Sequence, residues 1–124
     1  MSGNSILLDS NIILYLLSGD ASLAHYLQPR TLFISVITEI ELLSFQKLSN
    51  SEEKSVRALL SAMRIVSLDE TIKEESIRLR RANRLKLPDA IIAATATSLH
   101  LPLMTADQQF QNVSELALEL YQPS

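Results

Sequence analysis

Apolar and polar residues alternate along this chain with two different periods. Short apolar runs of strand length are rich in branched side chains. Between them lie longer segments in which apolar residues recur with the period of an α-helix. The short runs predict strands at 5–8, 32–37, 64–68 and 101–105, with a weak fifth at 116–121. The longer segments predict helices at 11–17, 21–28, 38–48, 51–63, 70–85 and 88–99. This order of elements predicts an α/β fold in which a mostly parallel sheet lies between helical layers.

The composition is that of one folded domain. A chain of 124 residues that is 47% hydrophobic and 20% charged can bury a core of its own, so we expect a single domain over residues 1–124. Cysteine is absent, which excludes disulfides, thiolate zinc sites and cysteine nucleophiles. Any metal must therefore be held by oxygen ligands.

Several functional classes are disfavoured by the sequence. It shows no targeting segment and no apolar run of the roughly 18 residues that a membrane helix needs, so we expect a cytoplasmic protein without a membrane partner. The two glycines, Gly3 and Gly19, cannot form a phosphate-cradling loop, which argues against a nucleotide cofactor. A net charge of −3 argues against broad, non-specific capture of nucleic acid.

Acidic residues occur where predicted strands end or predicted helices begin. Ligands of an open parallel sheet bind beyond the carboxyl ends of its strands. Four acids lie in such positions: Asp9, Glu41, Asp89 and Asp107. Mg²⁺ prefers several hard oxygen ligands. We therefore expect these carboxylates to converge on a site for a divalent ion.

Each of these acids also has a structural explanation. The segment from Thr38 to Glu41 fits a capping box, and Asp9 can cap the helix that follows it. Asp89, after a proline, can face the dipole of its helix, and Asp107 can be a loop acid. Capping does not require acids at four such junctions, whereas a divalent-metal site does require several carboxylates. The joint pattern therefore favours a site.

Three sequence blocks resemble, in order and spacing, those of PIN-domain ribonucleases, and most closely those of the small VapC-type toxins of prokaryotic toxin–antitoxin pairs. The blocks are LLDSNIILYLL at 7–17, ISVITEIELL at 34–43 and LPDAIIAATATSLHLPLMTADQQF at 87–110. The resemblance implies a three-layer α/β/α sandwich with a mostly parallel central sheet. It also implies a metal-dependent endoribonuclease that cleaves RNA phosphodiester bonds with Mg²⁺ or Mn²⁺.

The resemblance assigns roles to individual residues. The family's acidic positions, which act as catalytic metal ligands, are occupied here by Asp9, Glu41, Asp89 and Asp107. Ser10 or Asn11 matches the small polar position beside the first acid, where a side chain orients a carboxylate or a metal-bound water, so both are expected as supporting residues. Thr105 matches the threonine two residues before the last acid. Gln109 is a departure, because family members often have an acid there.

A basic cluster lies just before the third block. The stretch RLRRANRLK at 78–86 holds five of the eleven basic residues of the chain. Arg78 has an acid, Glu74, four residues before it, but Arg80 and Arg84 are like charges four residues apart without an acid in their row. Arg80, Arg81 and Arg84 are therefore expected to bind RNA phosphates, with a solvated or interface face as the alternative.

The sequence also leads to expectations about protein partners and leaves two alternative functions open. The resemblance implies a cognate antitoxin protein that places a basic side chain in the acidic pocket, and a homodimer. One alternative is a catalytically silent PIN-like module that binds RNA or protein. The other is a receiver-like signalling domain, which also has an acidic pocket at a sheet edge. That alternative lacks support from the sequence, which has no adjacent acidic pair after the first strand.

Overall fold

The computed structural model describes residues 4–123 and contains one five-stranded, all-parallel sheet. The strand order is β3-β2-β1-β4-β5. The strands are β1 (Ser5–Leu8), β2 (Thr31–Ser35), β3 (Arg64–Val66), β4 (Leu103–Thr105) and β5 (Leu118–Leu120). Because all the pairs are parallel, the carboxyl ends of the strands lie at one edge of the sheet.

Six α-helices and one 3₁₀ helix lie within residues 4–123. The α-helices are α1 (Ser10–Leu17), α2 (Ala21–Leu27), α3 (Val36–Leu43), α4 (Asn50–Leu60), α5 (Glu70–Asn83) and α6 (Leu87–Leu99), and the 3₁₀ helix is Gln108–Asn112. None of the helices between residues 4 and 123 is long and apolar enough to cross a membrane.

The core is divided into two layers by the sheet. Residues of β1 are buried on both faces, and their side chains alternate between the layers. Leu7 packs with residues of α5, α6 and the 3₁₀ helix, whereas Ile6 and Leu8 pack with residues of α1, α2 and α4. The prediction of a three-layer α/β/α sandwich is confirmed. Helix α6 fits closely on the sheet because its buried face is made mostly of alanine.

Two predicted boundaries around α3 are wrong. Strand β2 ends at Ser35, two residues earlier than predicted, because the Ser35 hydroxyl accepts a hydrogen bond from the Ile37 backbone N–H at 3.1 Å and caps α3 there. Thr38 consequently lies inside the helix, so the predicted capping box from Thr38 to Glu41 does not form. The helix also ends at Leu43 rather than at residue 48.

A capping box does occur at the start of α4. The Ser49 hydroxyl accepts from the Glu52 backbone N–H at 3.1 Å, and the Glu52 carboxylate accepts from the Ser49 N–H at 3.0 Å. Helix α5 is capped by Asp69, whose Oδ1 accepts from the Ile72 N–H at 2.8 Å. The capping side chains of Ser49, Glu52 and Asp69 are exposed.

Candidate active site

Asp9 lies at the carboxyl edge of the sheet, between β1 and α1. Its backbone N–H donates to the Met104 carbonyl at 3.0 Å, which extends the pairing of β1 with β4 by one residue. Its side chain is only 4% exposed, and Oδ1 accepts from the Ser10 backbone N–H at 2.8 Å, which caps α1. An apolar strand therefore ends on a carboxylate whose position is fixed by backbone hydrogen bonds.

Thr105 and Asn11 hold the second oxygen of Asp9. The Thr105 hydroxyl, which is fully buried at the end of β4, donates to Oδ2 at 2.6 Å. The Asn11 amide nitrogen donates to the same oxygen at 3.2 Å. The amide oxygen of Asn11 accepts from the Ala106 N–H at 3.0 Å, which fixes its orientation. Three donors thus orient Asp9, and one acceptor position on Oδ1 is left for a ligand.

The same threonine joins Asp9 to Asp107. The Thr105 hydroxyl accepts from the Asp107 backbone N–H at 3.0 Å, and the Asp107 carboxylate in turn accepts from the Gln109 N–H at 2.9 Å as the cap of the 3₁₀ helix. Ser10, Asn11 and Thr105 are therefore all in contact with the first acid, as their predicted supporting role requires. Ser10 acts through its backbone rather than its hydroxyl.

Asp89 and Glu41 approach the same edge from two further helices. Asp89 is half-buried in the first turn of α6, directly after a proline. Glu41 is exposed and lies in the second turn of α3, not in the first turn as predicted, because the helix begins two residues early. Helices α3 and α6 contact each other, and the charge of Asp89 acts on the Glu41 carboxyl group, so the two acids lie near each other.

The charges of the four acids act on one another. Burial raises the pKa of Asp9, and the Asp107 carboxylate raises it further, although the Thr105 hydrogen bond opposes this. Loss of hydration raises the pKa of Glu41, and the charges of Asp9 and Asp89 add to that shift. The pKa of Asp89 is raised by burial and then by the charges of Asp9 and Asp107. The four carboxylates therefore form one electrostatic cluster.

Little positive charge compensates this cluster. Among the described residues, Lys86 is the cation whose charge opposes the raised pKa of Asp89. The sequence analysis did not single out Lys86 as a site residue, although its place three residues before the acid, at the N-terminal cap of α6, is visible in the sequence. Repulsion within this cluster, which raises the pKa values of Asp9, Glu41 and Asp89, would be relieved by a bound cation.

The donor set fits a hard divalent ion. All four side chains offer carboxylate oxygens, and no thiolate is available. As placed, no three acidic or histidine side chains within residues 4–123 converge closely enough to share one ion. Direct coordination of one ion by three of the four carboxylates would therefore require changes of side-chain rotamer. Contacts through metal-bound water would require smaller movements of these side chains.

A family model and several solved structures relate this chain to known proteins. A family model described as "PIN domain" matches residues 6–116. A solved toxin–antitoxin complex from Klebsiella pneumoniae contains a chain that is 34% identical, with a TM-score of 0.78, and the match covers 90% of this chain and 94% of that one. No curated protein sequence matches.

Two further solved structures have the same fold at lower identity. VapBC-1 from nontypeable Haemophilus influenzae matches at 25% identity and a TM-score of 0.80, over 94% of this chain and 97% of that one. VapBC2 from Rickettsia felis, bound to a promoter DNA fragment, matches at 22% identity and a TM-score of 0.86, over 95% and 99%. With the family match extending over most of the chain and the strand order and acidic edge described above, the protein belongs to the PIN-domain family.

Proposed function

We propose that the protein is a cytoplasmic, metal-dependent endoribonuclease and the toxin of a type II toxin–antitoxin pair. The observation that carries the proposal is the cluster formed by Asp9, Glu41, Asp89 and Asp107, which come from four different segments and share one edge of the sheet. Hydrogen bonds cap helices at Asp9 and Asp107. Helix capping does not explain why Glu41 and Asp89, which cap no helix through a side-chain hydrogen bond, lie near Asp9 and Asp107.

The four acids would hold Mg²⁺ or Mn²⁺. When bound, such an ion neutralises charge on the phosphodiester and lowers the pKa of water. The chain itself contributes one rigid ligand: Asp9 cannot reorient without breaking its bonds to Ser10, Asn11 and Thr105, so any reorganisation on binding falls on the other three acids. Glu41 is the most exposed of the four acids and is the one that an incoming RNA meets first.

The proposal is tested by incubating the purified protein with single-stranded RNA. Cleavage is expected in Mg²⁺ or Mn²⁺, should stop in excess EDTA, and should return when the ion is added back. Chromatographic fractions must be assayed alongside, since the activity has to coincide with the protein peak rather than with a contaminating ribonuclease. Binding of RNA without cleavage under all of these conditions would contradict the proposal and favour the silent module.

The silent PIN-like module is the second candidate function. It is favoured by Gln109, which is exposed on the 3₁₀ helix where family members often have an acid. The receiver-like alternative is not supported, because the family model that matches is that of the PIN domain.

Replacing Thr105 by valine separates positioning from packing. Valine retains the volume but removes the hydroxyl that bonds Asp9 and accepts from Asp107, so we expect cleavage to fall roughly 10- to 100-fold, as for other residues that orient metal ligands. Unfolding should cost about 1–3 kcal/mol less, because buried polar groups lose a partner. Thr105→Ser restores the hydroxyl and should recover most of the activity. Equal activity of the two variants would contradict the positioning role.

The role of Arg80, Arg81 and Arg84 in RNA binding stays a prediction. The Arg80 side chain donates through Nε to the Leu85 carbonyl at 3.2 Å, and Arg84 is the left-handed C-terminal cap of α5. If these residues contact phosphates, Arg80→Ala with Arg84→Ala should weaken RNA binding and reduce the slope of log K against log salt by roughly one unit per lost contact. An unchanged slope would contradict the prediction. The measurement is RNA binding by the double variant and wild type at several salt concentrations.

A cognate antitoxin and a second copy of the chain are the proposed protein partners. Support for the antitoxin comes from the 34% identical relative, whose solved structure is a toxin–antitoxin complex. The cluster of acids is also complementary to a basic side chain of a partner. An open reading frame beside this one that encodes a small protein able to inhibit cleavage would support the pair.

A further inference from the structure

Lys86 is the one cation within residues 4–123 whose charge acts on the acidic cluster. It is the N-terminal cap residue of α6, three residues before Asp89. Burial and the charges of Asp9 and Asp107 raise the pKa of Asp89, and the charge of Lys86 lowers it. No other cation of the described chain contributes to the raised pKa values of Asp9, Glu41 and Asp89. Lys86 is therefore the first candidate for a side chain that attracts an anion to this edge of the sheet.

The backbone around Lys86 is fixed, whereas its side chain is not. The Lys86 carbonyl accepts from the Ala90 N–H at 2.9 Å in the first turn of α6. The preceding residue, Leu85, is buried, and its carbonyl accepts from Nε of Arg80 at 3.2 Å. The Lys86 side chain is exposed, and its ammonium group has no hydrogen bond or ion pair within residues 4–123. The fold thus defines the place of this residue and leaves its charge available to a ligand.

Helix capping does not explain a lysine at this position. Cap residues favour side chains that accept from the free N–H groups of the first turn, and an ammonium group cannot accept. Lys86 makes no such bond, and a cation at this end of a helix also opposes the helix dipole. Asp89 occupies the third helical position, from which an acid can bond back to the cap residue, but its carboxylate makes no hydrogen bond within the described residues.

The position of Lys86 places a bound anion beside Asp89. Residues three apart at a helix are neighbours, with Cβ atoms about 5–6 Å apart, yet Lys86 and Asp89 form no ion pair with each other. The arginines of α5 lie elsewhere: Arg80 and Arg81 line a groove together with Leu87, which is rotated by about 200° from Asp89 around α6. Any phosphate that these arginines hold is therefore further along the RNA.

The charge of the cluster makes a cation necessary for an anionic substrate. Four ionised carboxylates carry a charge of −4, and one divalent ion still leaves −2. A phosphodiester, which carries one negative charge, is repelled by that remainder unless a cation lies next to it. Lysine suits this purpose because its ammonium group is a compact charge that binds phosphate.

We infer that Lys86 binds a non-bridging phosphate oxygen of the RNA beside Asp89 and thereby holds the phosphodiester at the acidic edge of the sheet. The inference rests on the proposed function, because it names a residue that binds the proposed substrate. It has two consequences of opposite direction. Loss of the charge should weaken the binding of RNA but strengthen the binding of a divalent ion, because one lysine attracts the phosphate and repels the metal. A lysine that only stabilised the fold would produce neither change.

Lys86→Gln tests both consequences on the whole protein. Binding of single-stranded RNA is measured at several salt concentrations in Ca²⁺, and binding of Mn²⁺ is measured by calorimetry without RNA. We expect the RNA Kd to rise about 5- to 10-fold and the salt slope to fall by about 0.7, the value for one phosphate contact to a single strand. The Mn²⁺ Kd should fall about two- to fivefold. In cleavage assays KM should rise more than kcat falls.

Three further variants control for charge and stability. Lys86→Arg keeps the positive charge and should retain most of the RNA affinity and the wild-type Mn²⁺ affinity. Lys54→Gln makes the same change of net charge at an exposed site on α4 and should match wild type in both measurements. Lys86→Ser supplies a capping hydroxyl, so it should unfold at a temperature no lower than wild type while losing RNA affinity as Lys86→Gln does.

The outcomes separate this inference from the proposed function. Equal salt slopes and equal Mn²⁺ affinities in wild type and Lys86→Gln would overturn the inference. Equal losses of RNA affinity in Lys86→Gln and Lys54→Gln would do the same, because the effect would then be one of net charge. A wild type that binds RNA without cleaving it contradicts the proposed function instead, and the salt slope of Lys86→Gln then still decides the role of the lysine.

Discussion

Asp9→Asn is expected to reduce RNA cleavage by roughly 1,000-fold while the protein stays folded, since a metal-held transition state loses several kcal/mol when a ligand is replaced by a poorer one. The amide is uncharged and is a weaker partner for a hard cation. It can still accept from the Ser10 N–H, because asparagine caps helices about as well as aspartate does. Loss of activity would therefore not be loss of the cap.

Asp69→Asn is the matched control. Asp69 also caps a helix through Oδ1, although it accepts from the Ile72 N–H three residues on rather than from the next residue as Asp9 does, and it lies outside the acidic cluster. We expect this variant to cleave RNA at the wild-type rate. Without metal, Asp9→Asn removes one charge from a cluster whose members repel one another, but the amide nitrogen that replaces Oδ2 cannot accept from Thr105 and Asn11, so we expect the unfolding free energy to fall by about 1–3 kcal/mol. Wild-type cleavage by folded Asp9→Asn protein would remove Asp9 from the site.

Mn²⁺ is expected to raise the melting temperature strongly. Binding to the folded state alone stabilises it by about 2.7 kcal/mol at a ligand concentration 100 times Kd, which corresponds to a shift of roughly 10 °C for a domain of this size. The shift in melting temperature should be largely lost in Asp9→Asn and reduced in Asp89→Asn. The charges of both residues act on Glu41, so both belong to the cluster that would attract the ion. The measurement is thermal unfolding followed by circular dichroism.

Glu39→Gln is the control for a non-specific effect of charge. Glu39 lies on α3 with Glu41 but is rotated from it by about 200°, so the two do not share a face of the helix. Its removal changes the net charge by the same amount as Asp9→Asn. We expect the full Mn²⁺ shift in this variant, and an equal loss in both variants would contradict a specific site.

The sandwich and the positions of its acids could be predicted because local patterns determine them. A fully buried strand such as 5–8 reads as a continuous apolar run, and the parallel order of strands follows from their alternation with helices. That topology places the carboxyl ends of β1 and β4 side by side, which brings Asp9 next to Thr105. Their 2.6 Å hydrogen bond is the outcome of sheet pairing.

Features that depend on competing caps and long-range partners were not predictable. Two residues at the start of α3 have β-branched side chains that favour a strand, but the Ser35 cap makes them helical. Arg78 has acids both three and four residues before it. It pairs with Glu75, three residues before it, and also contacts Glu115, which is far along the chain and could not be identified from local spacing. The orientation of Asn11 likewise depends on the Ala106 N–H.

A single Mn²⁺ titration, followed by both RNA cleavage and melting temperature on the same protein sample, tests the central claim most directly. If the acidic cluster is the metal-dependent catalytic site, cleavage and stabilisation should rise together with one midpoint, and both should disappear in Asp9→Asn but not in Asp69→Asn. RNA cleavage by the purified protein at its full rate in excess EDTA, with no change in melting temperature on addition of Mn²⁺, would contradict the account.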